Sequence, residues 1–389
     1  MNINRVYKWL MLFSLLATTA YAQEDHHSYL TDQDLLAIAG DKYASGELPL
    51  GDYRYVLDAP RTGYIYLCHK FGEEGRGGAG RDGRWIHGQT WNLREKTSVQ
   101  GRISWSDAQF SVTRSGNARV LAGNGLPINH ATGIFPVQPD DPAYAVDRNP
   151  NSIAPQSVNE TLPAEPAYSS TPFCMGMEVG YMLDGVPLFN GFDAGLRDAA
   201  AHEVQDSCEG HPERTGQYHY HSLSSCIPDA GEKTVIGYAL DGFPITGPVV
   251  AAGKYLTTAD LDECHGLTSE IVEDGQKKIA YHYVMTVDFP YSASCFRAKP
   301  VRTGPPQNRG ASQSFQPVGQ MPYQSPPQMP SQMQHPSGFG PPAEALAACS
   351  GRHEGDECGF ISPRGDNITG VCRTPPSMPL ACIPSGGPR

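Results

Sequence analysis

Two histidines separated by a single residue are the strongest chemical feature of the sequence. His219 and His221 belong to the stretch Tyr-His-Tyr-His at 218–221, whose position between turn residues is typical of a β-strand. Side chains two residues apart on a strand point to the same face, so both imidazoles can reach one metal ion while Tyr218 and Tyr220 face the other way. Imidazole is a common ligand of zinc and of copper. The sequence therefore predicts a metal site on a strand.

An internal repeat provides the elements around these histidines. Residues 180–191 read GYMLDGVPLFNG and residues 237–247 read GYALDGFPITG. In each unit a Cys-x-Gly sequence follows, and then a Tyr-His-Tyr sequence and a closing cysteine. Four matched landmarks in the same order indicate a duplicated unit, with copies at about 179–227 and 236–296.

The second copy offers a third ligand. It carries Tyr-His-Tyr-Val at 281–284, so His282 is the equivalent of His219, and Val284 stands where His221 stands in the first copy. If the copies pack around a pseudo-twofold axis, His282 comes to lie opposite the His-x-His pair. This predicts a three-histidine site with one open position.

Other histidines extend the set of candidate ligands. His130 is the preferred fourth participant, because it follows a Gly/Pro/Asn loop sequence in which a polar side chain usually has a specific role. His202, His211 and His265 could complete or replace the set. Two structural alternatives remain open: imidazoles that hydrogen-bond backbone carbonyls in a polar core, or imidazoles on a solvated face of the sheet.

An open metal position would permit hydrolysis, since a bound water is acidified toward neutral pH. Asp193, Asp198 and Glu203 are the candidate general bases, and whether the protein is an enzyme stays open. The alternative is a non-catalytic extracellular binding or matrix module that recognises a glycan or a protein. The expected partner is thus an unidentified small molecule, glycan or protein.

The N-terminus predicts export. Arg5 and Lys8 precede a short apolar run, and Ala20-Tyr21-Ala22 has the small-x-small form of a signal-peptidase site, so residues 1–22 are interpreted as a signal peptide and the protein as secreted or periplasmic. The run is too short to span a bilayer. The 389 residues carry a formal charge of −12, which argues against nucleic acid and anionic membranes as partners.

Ten cysteines agree with an oxidising compartment. The repeat makes Cys208 with Cys226 and Cys264 with Cys295 the simplest pairs, which leaves Cys68 for Cys174. The Asp-Gly sequences that contain Asp184 and Asp241 predict hairpin turns in which both turn residues adopt positive φ.

The predicted fold is mainly β with a minor α content: an antiparallel sheet core with the duplicated unit, a few short helices and a small disulfide-rich C-terminal module. The expected divisions are an N-terminal helix (30–46) within a β-rich region (23–122), a domain with the duplication (123–303), a disordered Pro/Gln/Ser linker (304–342) and a four-cysteine module (343–389).

Four blocks resemble a known family. The sequences GNGLPINHATGIFP, GQYHYHSLSSCI, VIGYALDGFPITGP and YHYVMTVDFPYSASCF are similar to those of the YHYH-domain family of secreted proteins, over about Asn124 to about Arg297. The resemblance implies the identity of the domain at 123–303 and a histidine-bearing site, without an established reaction. Relatives often carry a second histidine where this chain has Val284, which argues against a four-histidine site.

Overall fold

The computed structural model describes residue 43 and residues 45–72, 78–229, 231–251, 254–304, 343–361, 367–374 and 380–384. The predicted signal peptide, most of the helix predicted at 30–46 and the linker beyond residue 304 lie outside the described residues. Within them the protein is mainly β, as predicted. The described α-helices are α1 (Ala199–His202) and α2 (Ala343–Ala347), with 3-10 turns at Pro142–Ala145 and Thr258–Asp260. None of the described helices has the length and apolar character needed to cross a bilayer.

Small sheets precede the main sheet in the chain. Their strands are β1 (Glu47–Pro49), β2 (Tyr55–Val56), β3 (Ile65–Tyr66), β4 (Ile86–His87), β5 (Thr90–Asn92), β6 (Phe110–Ser115), β7 (Ala118–Gly123) and β8 (Val158–Pro163). The first sheet has the order β1-β5-β4, the second pairs β2 with β3 in parallel, and the third has the order β6-β7-β8.

The main sheet contains eight strands, and most residues of its inner strands are buried. The strands are β9 (Glu178–Met182), β10 (Pro187–Phe189), β11 (Gly210–Pro212), β12 (Tyr218–Tyr220), β13 (Val235–Ala239), β14 (Pro244–Thr246), β17 (Gly266–Glu273) and β18 (Gln276–Val284). A separate hairpin joins β15 (Val249–Ala251) to β16 (Lys254–Tyr255). Burial of both faces explains why β9, β10, β13 and β14 read as short apolar runs without alternation.

The strand order, β11-β12-β10-β9-β13-β14-β18-β17, displays the duplication directly. Each copy contributes an antiparallel hairpin, a parallel neighbour and a final antiparallel strand. The copies join where β9 pairs with β13 and Tyr181 lies opposite Tyr238, its equivalent in the repeat. The pseudo-twofold axis therefore passes through this pair. Equivalent strands lie on opposite sides of it.

The Asp-Gly sequences form the predicted hairpin turns. Asp184 Oδ1 accepts a hydrogen bond from Val186 N (3.0 Å), and Asp241 Oδ1 accepts one from Phe243 N (3.2 Å). Positive φ is confined to the glycines that follow the aspartates, 94° at 185 and 92° at 242. The expectation of positive φ at the aspartates is wrong, because their carboxylates close the turn and glycine alone supplies the left-handed residue.

The predicted disulfides are confirmed. Cys68 pairs with Cys174, Cys208 with Cys226 and Cys264 with Cys295. In the C-terminal module, β19 (Glu357–Ile361), β20 (Asn367–Arg373) and β21 (Ala381–Pro384) form an antiparallel sheet cross-linked by Cys349–Cys372 and Cys358–Cys382. A segment of this size needs such cross-links because its apolar core is small. Disulfides of this number are typical of an exported protein.

Candidate metal centre

Three buried histidines converge at one edge of the main sheet. His219 lies on β12 and His221 directly follows it, so the pair shares a face as predicted. His211 lies on β11, opposite His219 in the antiparallel register. Each of the three is only 3 % exposed, and one ring nitrogen from each lies within 4.8 Å of the others.

Backbone carbonyls fix the orientation of two of the rings. His219 Nδ1 lies 3.0 Å from the carbonyl oxygen of Gln217, and His221 Nδ1 lies 2.6 Å from that of Asn190. A carbonyl oxygen can only accept, so each Nδ1 carries the proton and donates it. The lone pair of each neutral ring is then on Nε2, which is the arrangement of a metal-ligating histidine oriented by its surroundings.

The Nε2 atoms of His219 and His221 lie 3.0 Å apart. Two neutral imidazoles have two N–H protons, whereas this contact and the two carbonyl contacts require three. Burial lowers the pKa of His219 to about 4, and burial followed by the charge of His219 lowers the pKa of His221 well below its usual value. A third proton is therefore disfavoured. The two facing lone pairs therefore need a positively charged group other than a proton between them.

His211 completes the cluster without hydrogen bonds of its own. Neither of its ring nitrogens has a hydrogen-bond partner, although both are buried. Burial, followed by repulsion from His219 and His221, lowers the pKa of His211 well below its usual value. An unsatisfied buried polar group costs about 1–3 kcal/mol, so this ring is placed for a partner that a metal ion would provide.

Glu203 brings a carboxyl group to the same place. It follows α1, and its Oε2 lies 3.6 Å from Nε2 of both His211 and His221. Burial, followed by the charges of Asp193 and other acids, raises the pKa of Glu203 well above its usual value. In the absence of a metal ion these contacts are therefore not ion pairs, because the pKa shifts of the carboxyl group and of the histidines favour the neutral form of each.

A glycine allows the chain to approach this carboxyl group closely. Gly78 has a φ of +62°, and a Cβ at this position would lie 2.9 Å from Glu203 Oε1 and 2.6 Å from Asp193 Oδ2. Asp193 is engaged by Arg197, whose Nη2 lies 2.8 Å from its Oδ2. A side chain at position 78 would thus displace the carboxylates of Glu203 and Asp193.

The other described cysteine and histidine groups are not free ligand sets. His130 lies near Cys208 and Cys226, and three C-terminal cysteines lie near one another, but all of these sulfurs are in disulfides. Among the described residues, the grouping at His211 is the one made of histidines with open ring nitrogens.

Comparison with known proteins places the cluster in a recognised domain. Residues 159–253 match the model of a family described as YHYH protein. The chain carries a YHYH domain. The match is narrower than the 124–297 range of the sequence resemblance, yet it contains His211, His219, His221 and Glu203. No curated protein and no solved structure matches the chain.

His282, predicted as the third ligand, lies outside the matched residues and away from the cluster. Its strand, β18, is five strand spacings from β12 in the sheet order, which is roughly 24 Å. Its Nδ1 lies 2.9 Å from Thr246 Oγ1 and its Nε2 2.9 Å from Ser269 Oγ. The structure thus brings His211, and not His282, to His219 and His221, because the twofold axis separates equivalent strands.

The burial of His282 leads to a prediction about how the stability of the protein changes as pH falls. Burial lowers the pKa of His282 from 6.5 to about 4. As pH falls from 6.5 toward 4, the unfolded chain binds a proton that the folded chain excludes, so stability is lost in this window. Relative to His282→Gln, the wild type should lose roughly 3 kcal/mol between pH 7 and pH 4. Urea unfolding of both proteins at each pH measures this, and parallel pH profiles would contradict it.

His130, predicted as the fourth participant, packs against the opposite face of β12. Its Nε2 lies 2.6 Å from the hydroxyl of Tyr220, which donates to Asp184 Oδ2 at 2.8 Å. Burial lowers the pKa of His130, but the hydrogen bond and charge of Asp184 outweigh burial and the pKa is raised. His130 therefore supports the tyrosine side of the YHYH strand and does not approach the three histidines.

The remaining candidates also have other partners. His202 lies between Asp52 and Asp82, at 3.0 Å from each, and His265 lies 3.0 Å from Thr286 Oγ1. Asp198 accepts from the hydroxyl of Tyr291 at 2.8 Å. Of the three carboxylates considered as general bases, Glu203 is the one beside the histidines.

Proposed function

We propose that the protein is an exported metal-binding protein whose centre holds zinc or copper on His211, His219 and His221. The observation that carries this proposal is the proton count at the His219–His221 contact: two neutral rings cannot satisfy three contacts, and a cation between the Nε2 atoms resolves the conflict. Imidazole nitrogen suits both metals.

The donor set fits a metal of this class. Tetrahedral ligands at about 2.0–2.1 Å are separated by about 3.3 Å, close to the 3.0 Å between the two Nε2 atoms and the 3.6 Å from Glu203 to His211 and to His221. The Gln217 and Asn190 carbonyls hold the rings in the required tautomer. Glu203 offers a fourth ligand, and its carboxylate would offset part of the charge of a divalent ion.

The burial of the ligands supports retention of the ion more than rapid turnover. Each histidine is 3 % exposed, and the Glu203 side chain is 13 % exposed. Hydrolysis is the second candidate function, and it is favoured by the position of the Glu203 carboxyl group beside His211 and His221. A metal ion supplies Lewis-acid chemistry when bound, and a carboxylate beside it, if free of the metal, can hold or accept a proton.

Elemental analysis of protein purified without an affinity tag tests the proposal. About one zinc or copper ion per chain is expected; a chelator should remove it and the same ion should restore it. Cobalt substitution, followed by visible spectroscopy, would report a tetrahedral nitrogen-rich site. Stoichiometry near zero in native and metal-supplemented protein would reject the metal centre and favour the non-catalytic binding module.

Replacing Glu203 with glutamine separates its two possible roles. As a fourth ligand, Glu203 should contribute about tenfold to metal affinity, so E203Q should bind one ion per chain more weakly, as measured by competition with a chelator. The control is E209Q, since burial also raises the pKa of Glu209, to about 7, but its carboxylate accepts from Ser225 N instead. An unchanged affinity in E203Q would remove Glu203 from the ligand set and leave it available as a base.

A further inference from the structure

One disulfide encloses the whole ligand set. Cys208 and Cys226 are separated by 18 positions in the sequence, and His211, His219 and His221 all lie between them. The disulfide therefore closes a loop that contains β11, β12 and all three histidines. The equivalent disulfide of the second copy, Cys264–Cys295, encloses none of these ligands.

The strand that carries His211 has a short ladder; beyond it, Asp206 Oδ1 accepts a hydrogen bond from Gly210 N, and the carbonyl of Pro212 accepts one from Asn149 Nδ2. β11 is three residues long, pairs with β12 alone and forms the edge of the sheet. β12 in turn has one registered pair with β10, Leu188 with Tyr220. In the second copy, β17 and β18 pair over eight residues. In the first copy the disulfide thus adds a covalent link to a short ladder, whereas the second copy has a long ladder.

We infer that the Cys208–Cys226 disulfide controls the metal site, so that the three histidines form a high-affinity site only in the oxidised protein. The inference rests on the proposed function. Cutting the disulfide loosens the segment that contains β11 and β12, and part of the ordering of His211 against His219 and His221 then takes place at the moment of binding. The entropy of that ordering is subtracted from metal affinity.

The chemistry of the switch is thiol–disulfide exchange with a dithiol. The S–S bond breaks, two electrons and two protons pass to the sulfurs of Cys208 and Cys226, and the dithiol is oxidised to its own disulfide. Cys226 is half-buried, whereas Cys264 and Cys295 are fully buried. A reductant should therefore reach the first-copy disulfide before its second-copy equivalent. Oxidation of the two thiols must precede metal loading.

Paired variants test the inference without a reductant that would itself bind metal. In full-length protein, C208S/C226S should lower zinc affinity at least about tenfold in a chelator competition, while C264S/C295S should stay within about threefold of wild type. Serine also prevents released thiolates from holding the ion together with His130. Near-UV circular dichroism verifies the fold. Equal affinities in all three proteins would overturn the inference and leave the metal site standing; absence of zinc from oxidised wild type would overturn both.

A kinetic experiment covers the case in which C208S/C226S does not fold. Zinc-loaded wild type is treated with a phosphine reductant, alkylated at intervals and mapped by peptide mass spectrometry, while an indicator dye records zinc release. Release should follow alkylation of Cys208 and Cys226 and not that of Cys68, Cys174, Cys264 or Cys295. Zinc that stays bound after Cys208 and Cys226 are alkylated would refute the inference.

Discussion

Replacing His211, His219 or His221 with alanine is expected to reduce bound metal from about one ion per chain to below about 0.1. Each substitution removes one of three imidazoles and leaves two nitrogen ligands with Glu203. His211 gives the most decisive result, because its ring nitrogens have no hydrogen-bond partners to lose. Metal analysis after gel filtration in a weak chelator measures the effect. Full retention in H211A would contradict the assignment of this ring.

Two matched alanine variants serve as controls. H282A removes a buried histidine bonded to Thr246 and Ser269, and H130A removes one bonded to Tyr220. Both should cost stability and keep the metal. If H282A lost the ion while H211A kept it, the cluster of His211, His219 and His221 would not be the site.

Metal addition provides an independent readout of the same variants. An ion that binds only the folded state stabilises it by about 2.7 kcal/mol at a free concentration one hundred times the dissociation constant. The wild type, H282A and H130A should show this gain in thermal unfolding, and the three ligand variants should not. A gain of equal size in all proteins would indicate metal binding elsewhere on the chain.

The pattern of residues predicted much of this architecture. The period-2 spacing of His219 and His221 places both on one face, and the structure has them there. The repeat predicted the two hairpins and the disulfides of the main sheet. The Asp-Gly turns within 180–191 and 237–247, and the cysteines that follow each of these ranges, carried this information because they are local or near-local signals. Local signals are the ones that a single sequence expresses most clearly.

The sequence offers His211 as a ligand that could complete or replace the set, and the register of the β11–β12 hairpin favours it over His282. Residues 213–217 form the turn between β11 and β12, and a hairpin with that turn places 211 opposite 219. The preceding Cys-x-Gly-His-Pro sequence gave no periodic signal, because β11 is only three residues long. The missing information was the length of the turn.

The position of His282 depended on tertiary structure that a single sequence does not express. A pseudo-twofold axis is present, but antiparallel pairing of β9 with β13 places it at Tyr181 and Tyr238. Equivalent strands then lie at opposite ends of the sheet. The two copies could instead have packed with their sheets face to face, which would have brought His282 close to His219 and His221. The spacing of the motifs in the sequence is the same for both arrangements. Glu203 reaches the site for a related reason: it follows α1 in the chain, and the tertiary fold brings its Oε2 to 3.6 Å from Nε2 of His211 on the edge strand.

Substitution of Asp206 with alanine should destabilise the protein by at least about 4 kcal/mol, the range reached when a buried hydrogen-bond network is broken. Asp206 is 3 % exposed. Its carboxylate accepts from Gly133 N at 2.8 Å, Cys208 N at 2.9 Å, Gly210 N at 3.2 Å and the hydroxyl of Tyr218 at 2.9 Å. Alanine leaves all four donors without an acceptor in a region that water does not reach.

Urea unfolding of D206A, Y218F and D140A at pH 7 tests this role of Asp206. Y218F deletes a single hydroxyl from the network and should cost about 1–2 kcal/mol, and D140A, at an exposed position, should stay within about 0.5 kcal/mol of wild type. The order D206A, Y218F, D140A is required if the carboxylate organises the turn before β11. A loss below about 1 kcal/mol in D206A would show that β11 is held without it, and the strand carrying His211 would then depend on the Cys208–Cys226 disulfide, the ladder to β12 and the hydrogen bond from Asn149 to the carbonyl of Pro212.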